Sequence, residues 1–170
     1  MESMFWGAKF NKPISNWNVS KVTDMRFLFR DSQFNQPIGL WDVSNVFSMG
    51  GMFSENKVFN QEISSWDVSN VEEMYGMFLV SNFDRPIGNW DVSNVTNMNG
   101  MFGSSIFNQP IGNWDVSNVT NMNFMFNSDM FYNQDLSTWS VNNVTQCDGF
   151  SIFAPQWILP KPDFTNCITN

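Results

Sequence analysis

Apolar side chains recur along this chain every 24 or 25 residues, in six nearly identical blocks. Both the opening aromatic residue and the tryptophan of each block keep this spacing; the tryptophans are Trp17, Trp41, Trp66, Trp90, Trp114 and Trp139. Residues 1–5 match the end of a block. A fixed period of this length is typical of stacked repeat proteins, in which each unit buries its apolar side against its neighbours. The period therefore predicts an elongated repeat array.

Within each block the apolar spacing changes. In residues 87–93, Trp90 and Val92 alternate with polar residues, which predicts a short strand with one buried face. From Val95 to Phe102 the apolar residues are three or four positions apart, which predicts a short helix. Identical strands joined by a helix and a loop would stack in parallel. We therefore predict an α/β repeat solenoid, similar to leucine-rich repeats, with parallel strands and one short helix per repeat of 24–25 residues.

Stacking also predicts the core, because equivalent residues of successive repeats form columns. The apolar columns hold valine, methionine, phenylalanine and tryptophan, and we expect all of them to be buried, tryptophans included. We expect residues 1–153 to form the six-repeat solenoid, with a partial repeat at 1–5. Residues 154–170 depart from the repeat and are rich in large apolar residues and proline, so we expect them to cap the last repeat.

Charge and composition narrow the possible functions. The net charge is −8, and the eight basic residues are scattered, so the chain lacks the basic stripe that nucleic acid requires. No apolar run is long enough to insert into a membrane. There is no histidine for general-base or zinc chemistry, and no phosphate-binding loop or nucleophile elbow occurs. We expect neither enzymatic activity nor a cofactor.

The repeat motif itself resembles a known family. The block 113–122, followed by Met125 and Phe126, is similar to the BspA-like bacterial surface-protein repeat, which is also abundant in mycoplasma lipoproteins. This resemblance covers nearly the whole chain and implies a curved solenoid that is exposed on a surface and used for attachment, without catalytic residues. Asn18 and Ser140 depart from the motif, since the other four repeats have aspartate there. The motif implies no particular ligand.

An outward-facing column of aspartates is the main candidate for a binding site. The four residues lie between the tryptophan and the valine of successive repeats and are followed by serines: Asp42, Asp67, Asp91 and Asp115, with Ser44, Ser69, Ser93 and Ser117. Stacked carboxylates repel one another. Two interpretations stay open: local turns in which each aspartate accepts hydrogen bonds, or the acidic centre of a face that binds a basic partner or Ca²⁺.

The two cysteines also have two interpretations. Cys147 replaces methionine in a core column, and Cys167 lies in the predicted cap. A disulfide between them would hold the cap on the last repeat and would favour an extracellular location. The alternative is two buried thiols.

Two functions compete on this evidence. The first is a non-catalytic adhesion domain on a cell surface that engages a protein or a glycan. The second is a structural fibre or decoration protein of a virion or cell envelope, which the lack of a recognisable signal peptide favours, since Met1 lies within a repeat motif. Both place the chain outside the cell or on a virion surface. Ice binding is disfavoured because Phe47 and Glu72 interrupt the threonine column.

Overall fold

The computed structural model describes residues 1–168 and contains neither an α-helix nor a multi-residue β-strand within that range. The chain instead forms a stack of irregular coils, in which each block of the sequence is one coil. Five isolated parallel bridges connect successive coils: Asp24 with Ser48, Ser48 with Glu73, Glu73 with Asn97, Asn97 with Asn121, and Asn121 with Gln146. The α/β class and the resemblance to the secondary structure of leucine-rich repeats are therefore wrong.

The segment predicted as a helix is a series of tight turns. Gly100 has a φ of 60°, and a right-handed helix cannot continue through a residue in the left-handed region. The N–H of Met101 donates to the carbonyl of Met98 within the coil (3.2 Å), whereas Met98 and Phe102 donate to the next coil. The three-and-four spacing of apolar residues is thus produced by successive turns, and the remaining N–H groups bond between coils.

The backbone ladder between coils is regular even though the strands are absent. The N–H groups of Met25, Phe27, Phe29 and Asp31 donate to carbonyls of the second coil at 2.9–3.0 Å. In every later pair of coils, every second N–H of the equivalent segment donates to a carbonyl of the next coil in the same way. Because identical segments lie in register, each coil satisfies the backbone groups that its own turns leave free.

The segment predicted as a strand is also broken by turns. Trp90 donates its N–H to the carbonyl of Ile87 at 3.1 Å, and Val95 donates to Val92 at 2.9 Å. Trp90 and Val92 are nevertheless buried while Asp91 between them is exposed. The alternation of apolar and polar residues therefore predicted burial correctly and secondary structure incorrectly.

The core consists of the predicted columns. From the second coil onwards, the valines, the methionines, the phenylalanines and the tryptophans of these columns are almost fully buried. Phenylalanine rings also stack where one block ends and the next begins. Their centroids are 3.9–4.2 Å apart at Phe53–Phe59, Phe78–Phe83 and Phe102–Phe107. The first coil differs: Phe5 and Val22 are only partly buried, and Trp17 is 39% exposed. The prediction that all six repeat tryptophans are internal is wrong for Trp17.

Amide side chains form a second ladder along the stack. One acceptor per coil lies beside the opening aromatic residue: Asn11, Asn35, Asn60, Asp84, Asn108 and Asn133. Each side-chain oxygen accepts the backbone N–H of its equivalent in the next coil, for example Asn60 N–H to Asn35 Oδ1 at 3.1 Å. At the end of the column, Asn133 accepts from the N–H groups of Ile158 and Leu159. The column is thus part of the coil-to-coil bonding.

The last described residues pack on the end of the stack. Trp157 lies 25 positions after Tyr132 and makes edge contacts with Tyr132 and Phe126, at centroid distances of 4.7 and 5.1 Å. Phe164 contacts Phe150 at 4.9 Å. These aromatic contacts cover the apolar end of the sixth coil. Residues 169 and 170 of the predicted cap lie outside the described part of the chain.

Candidate functional site

The four predicted aspartates form a line on the surface, which we call the acidic strip: Asp42, Asp67, Asp91 and Asp115. All four are exposed, and the serines two positions later are half-buried. Each aspartate accepts the backbone N–H of its serine at 3.0–3.2 Å. In the first three, the serine hydroxyl also donates to the same oxygen at 2.6 Å. Each carboxylate is therefore fixed in a local Asx turn.

The first coil shows that this turn does not require a charge. Asn18 takes the place of the aspartate and accepts from the N–H and the hydroxyl of Ser20 at 3.1 and 2.7 Å. The amide oxygen thus makes the same pair of bonds as the carboxylate oxygen of Asp42. Because asparagine satisfies the turn, the negative charges of the acidic strip exceed what the fold needs.

Local hydrogen bonds lower the pKa of three of these carboxylates. The Ser44 hydroxyl and N–H lower the pKa of Asp42, and Ser117 lowers that of Asp115 in the same way. The pKa of Asp91 is also lowered by Ser93, although the neighbouring charge of Asp115 opposes the shift. The charged form is therefore favoured at Asp42, Asp91 and Asp115. Within residues 1–168, no three acidic or cysteine side chains come together in a group that could hold a metal ion.

A row of asparagines fixes the edge of the strip. The side-chain amide of Asn70 donates to the carbonyl of Ser44 in the preceding coil at 2.8 Å, and that of Asn94 donates to Ser69 at 2.7 Å. The same bond is made by Asn45, Asn118 and Asn143. The sequence pattern suggested Asn94 only as a cap of the predicted helix, and the bonds between coils were not predicted. The regular recurrence of asparagine one residue after the serine was the signal that could have identified these bonds.

A shallow groove lies on the surface of the stack. One part is lined by residues of the last three coils, including Pro86, Asn89, Pro110 and Asn113. Gly88 lies at its floor because a Cβ there would be 2.5 Å from the carbonyl oxygen of Pro110. Asn89 and Asn113 each lie two residues before an aspartate of the strip in sequence, so the groove contains amide groups from the segments that carry the strip. The sequence signal for it was the column of proline and glycine, which offers no large side chain.

A second surface carries aromatic residues that the sequence pattern did not single out: Trp6 and Phe124 are exposed, and Phe27 is half-buried. Phe27 and Phe124 have φ angles of 55° and 56° at the position where the other repeats of the stack have glycine. The ring of Trp6, which is 51% exposed, lies under the guanidinium of Arg30 at 4.7 Å. A bulky residue in the left-handed region is uncommon. The two phenylalanines in a glycine column were the available signal.

The predicted disulfide is present. Cys147 and Cys167 are bonded and lie 20 positions apart in sequence, and Cys147 is buried. The bond joins the sixth coil to the segment that covers it. The described part of the chain has no free cysteine.

A family model matches residues 1–102 and 79–155, with the description "Mycoplasma protein of unknown function, DUF285". The chain belongs to this family. Membership confirms the mycoplasma-type part of the resemblance seen in the repeat motif, while the narrower BspA-like assignment stays a prediction. Neither a curated protein nor a solved structure matches this DUF285 member. No helix in residues 1–168 is long and apolar enough to cross a bilayer.

Proposed function

We propose that the chain is a non-catalytic binding domain whose acidic strip, with its flanking serines and the shallow groove, contacts a protein or a glycan. The observation that carries this proposal is the comparison of Asn18 with Asp42. Asn18 makes the same two hydrogen bonds without a charge. Four aligned carboxylates therefore cost repulsion that the fold could avoid, which supports a role outside folding.

The chemistry of the strip indicates the partner. Fixed, ionised carboxylates attract cationic groups and contribute mainly to the association rate and to specificity. Amide groups of Asn89 and Asn113 in the groove can donate and accept hydrogen bonds with polar groups of the same partner. The partner that fits is a basic protein segment or a glycan that carries amino groups.

The disulfide supports an extracellular setting for this domain. The Cys147–Cys167 bond is compatible with secretion or exposure at a surface, because disulfides persist in oxidising compartments. Together with the resemblance to surface-protein repeats, it favours a role in attachment at the cell surface.

The test compares two variants of equal charge. The first replaces Asp42, Asp67, Asp91 and Asp115 by asparagine. The control removes four other exposed acidic groups: Asp31→Asn, Glu72→Gln, Asp148→Asn and Asp163→Asn. Both change the net charge from −8 to −4. The probes are arrays of lysine-rich peptides and of neutral and amino-containing glycans.

We expect the strip variant to lose binding by roughly fivefold or more relative to the control, with the difference shrinking as salt increases. Equal loss in the two variants would mean that only net charge matters, and no difference for any probe would refute the proposal.

A further inference from the structure

One polar position per coil is buried in the core. The residues at this position, the buried polar column, are Ser32, Asn56, Ser81, Ser105 and Asp129. Ala8 and Ala154 occupy the equivalent position at the two ends of the stack. Asn56 and Asp129 are isosteric, and they differ only in whether the second side-chain atom is an amide nitrogen or an oxygen.

Asn56 shows what this position requires. Its Oδ1 accepts from the N–H groups of Val58 and Phe59 at 3.0 and 2.9 Å. Its amide nitrogen donates to the Ser32 hydroxyl at 3.2 Å and to the carbonyls of Phe29 and Phe34 at 3.4 and 3.1 Å. This position therefore requires a side chain with one atom that accepts two hydrogen bonds and a second atom that donates.

Asp129 repeats the acceptor side of this arrangement. Its Oδ1 accepts from the N–H groups of Phe131 and Tyr132 at 2.9 and 3.0 Å. On the other side, the Ser105 hydroxyl donates to Oδ2 at 2.9 Å. In the Asn56 coil, by contrast, the Ser32 hydroxyl donates to the carbonyl of Phe29 at 2.8 Å. The Ser105 hydroxyl can donate to Oδ2 when Asp129 is ionised, whereas a protonated Oδ2 can itself act as a donor, as the amide nitrogen of Asn56 does.

The carbonyl groups on the donor side determine whether the ionised or the protonated form of Asp129 is favoured. The carbonyls that Asn56 satisfies belong to residues 27 and 22 positions before it. By the same register, the corresponding residues are Phe102 and Phe107, and we expect their carbonyls on the Oδ2 side of Asp129. An ionised Oδ2 would face carbonyl oxygens, whereas a protonated one can donate as the amide of Asn56 does.

Within residues 1–168, no cationic side chain forms a salt bridge with the Asp129 carboxylate. Asp129 is fully buried. The titratable groups facing it are Asp84, whose charge disfavours ionisation, and Tyr132. The hydroxyl of Tyr132 has no hydrogen-bond partner within residues 1–168. Burial, opposed by the hydrogen bonds, raises the pKa of Asp129 to about 6.

We propose that Asp129 is a pH-sensitive latch: it is protonated and donates a hydrogen bond across the junction of the fifth and sixth coils in mildly acidic surroundings, and its ionisation weakens that junction. The direction follows from proton linkage, since the folded state binds the proton more tightly than the unfolded state. The stabilisation is complete below the ordinary pKa of 3.8 and is lost as the pH rises through about 6.

The test is the pH dependence of the difference between the wild type and Asp129→Asn. Taking this difference cancels the contributions of the ionisable groups that do not interact with Asp129. For a folded pKa of about 6 and an unfolded value of 3.8, the unfolding constant of the wild type relative to the variant should rise about tenfold between pH 5 and pH 8. Urea unfolding at the two pH values measures it.

Asn56→Asp is the matched control, because it should introduce the same pH dependence at the second position. A pH-independent difference between the wild type and Asp129→Asn would overturn the proposal. If that variant does not fold, the ¹³Cγ shift of Asp129 in the wild-type chain decides. Titration near pH 6 supports the latch, and titration below pH 4 refutes it.

Discussion

Replacing Asn35 by alanine should destabilise the stack by about 1–2 kcal/mol, since partly buried donors would lose their acceptor. The Oδ1 atom of Asn35 accepts the N–H of Asn60 at 3.1 Å and the side-chain amide of Gln61 at 2.9 Å. Gln61 keeps a second acceptor, the carbonyl of Asn35, at 3.2 Å. The N–H of Asn60 has no such alternative, so most of the cost arises there.

Two further variants separate this cause from a general effect of mutation. Asn35→Asp retains Oδ1, and Asp84 shows that a carboxylate serves in this column, because it accepts from Asn108 N–H and from the Gln109 amide at 2.9 Å. We expect Asn35→Asp to be nearly neutral. Asn133→Ala should cost less than Asn35→Ala, because its donors, Ile158 and Leu159, are exposed and water can replace the acceptor.

Thermal unfolding followed by near-ultraviolet circular dichroism provides the measurement. For a chain of this length, 1 kcal/mol corresponds to a shift in Tm of about 2–4 °C, so Asn35→Ala should lower Tm by about 2–8 °C. The reasoning would be refuted if Asn35→Asp were as destabilising as Asn35→Ala, or if Asn133→Ala were the most destabilising of the three.

Two other predictions concern the disulfide and the glycine column. Replacing Cys147 and Cys167 by serine should cost roughly 3 kcal/mol in the chain-entropy model for a loop of this length; an unchanged Tm would contradict it. Gly100→Ala should cost about 1 kcal/mol from backbone strain alone, because its φ is 60° and the nearest atom to an added Cβ is 4.0 Å away. Gly51→Ala should cost more, since its Cβ would lie 2.4 Å from the Phe27 ring, and equal losses would count against this account.

The sequence predicted burial better than secondary structure. Every coil repeats the same environment, so a column such as Val92, Val116 and Val141 could be recognised as core from the period alone, and these residues are buried. Trp17 was misplaced because its burial depends on its position at the end of the stack. The left-handed conformation at Phe27 could not be read from the residue type, which disfavours it.

The sequence predicted some features of the candidate site and not others. The outward direction of Asp91 followed from its alternation with Trp90 and Val92, and the pairing of Cys147 with Cys167 was one of two interpretations of the sequence. The Asx turn at Asp91 was likewise one of two alternatives. The groove beside Asn89 and the hydrogen bond between Ser105 and Asp129 depend on groups from different coils, 24 or more residues apart. No local pattern specifies them.

What the sequence by itself determined is the period, the composition of the core columns and the outward direction of the acidic strip, because these depend only on equivalent residues occupying equivalent places. Only the tertiary structure decided how the backbone is bonded. Spacings of three and four residues suit a helix and a series of turns equally well. The choice depends on whether an N–H such as that of Phe102 bonds within its coil or to Met125 of the next. Because successive coils are in register, a carbonyl of the neighbouring coil accepts the equivalent N–H of each coil. The backbone groups of the described coils are therefore hydrogen-bonded without helices or strands.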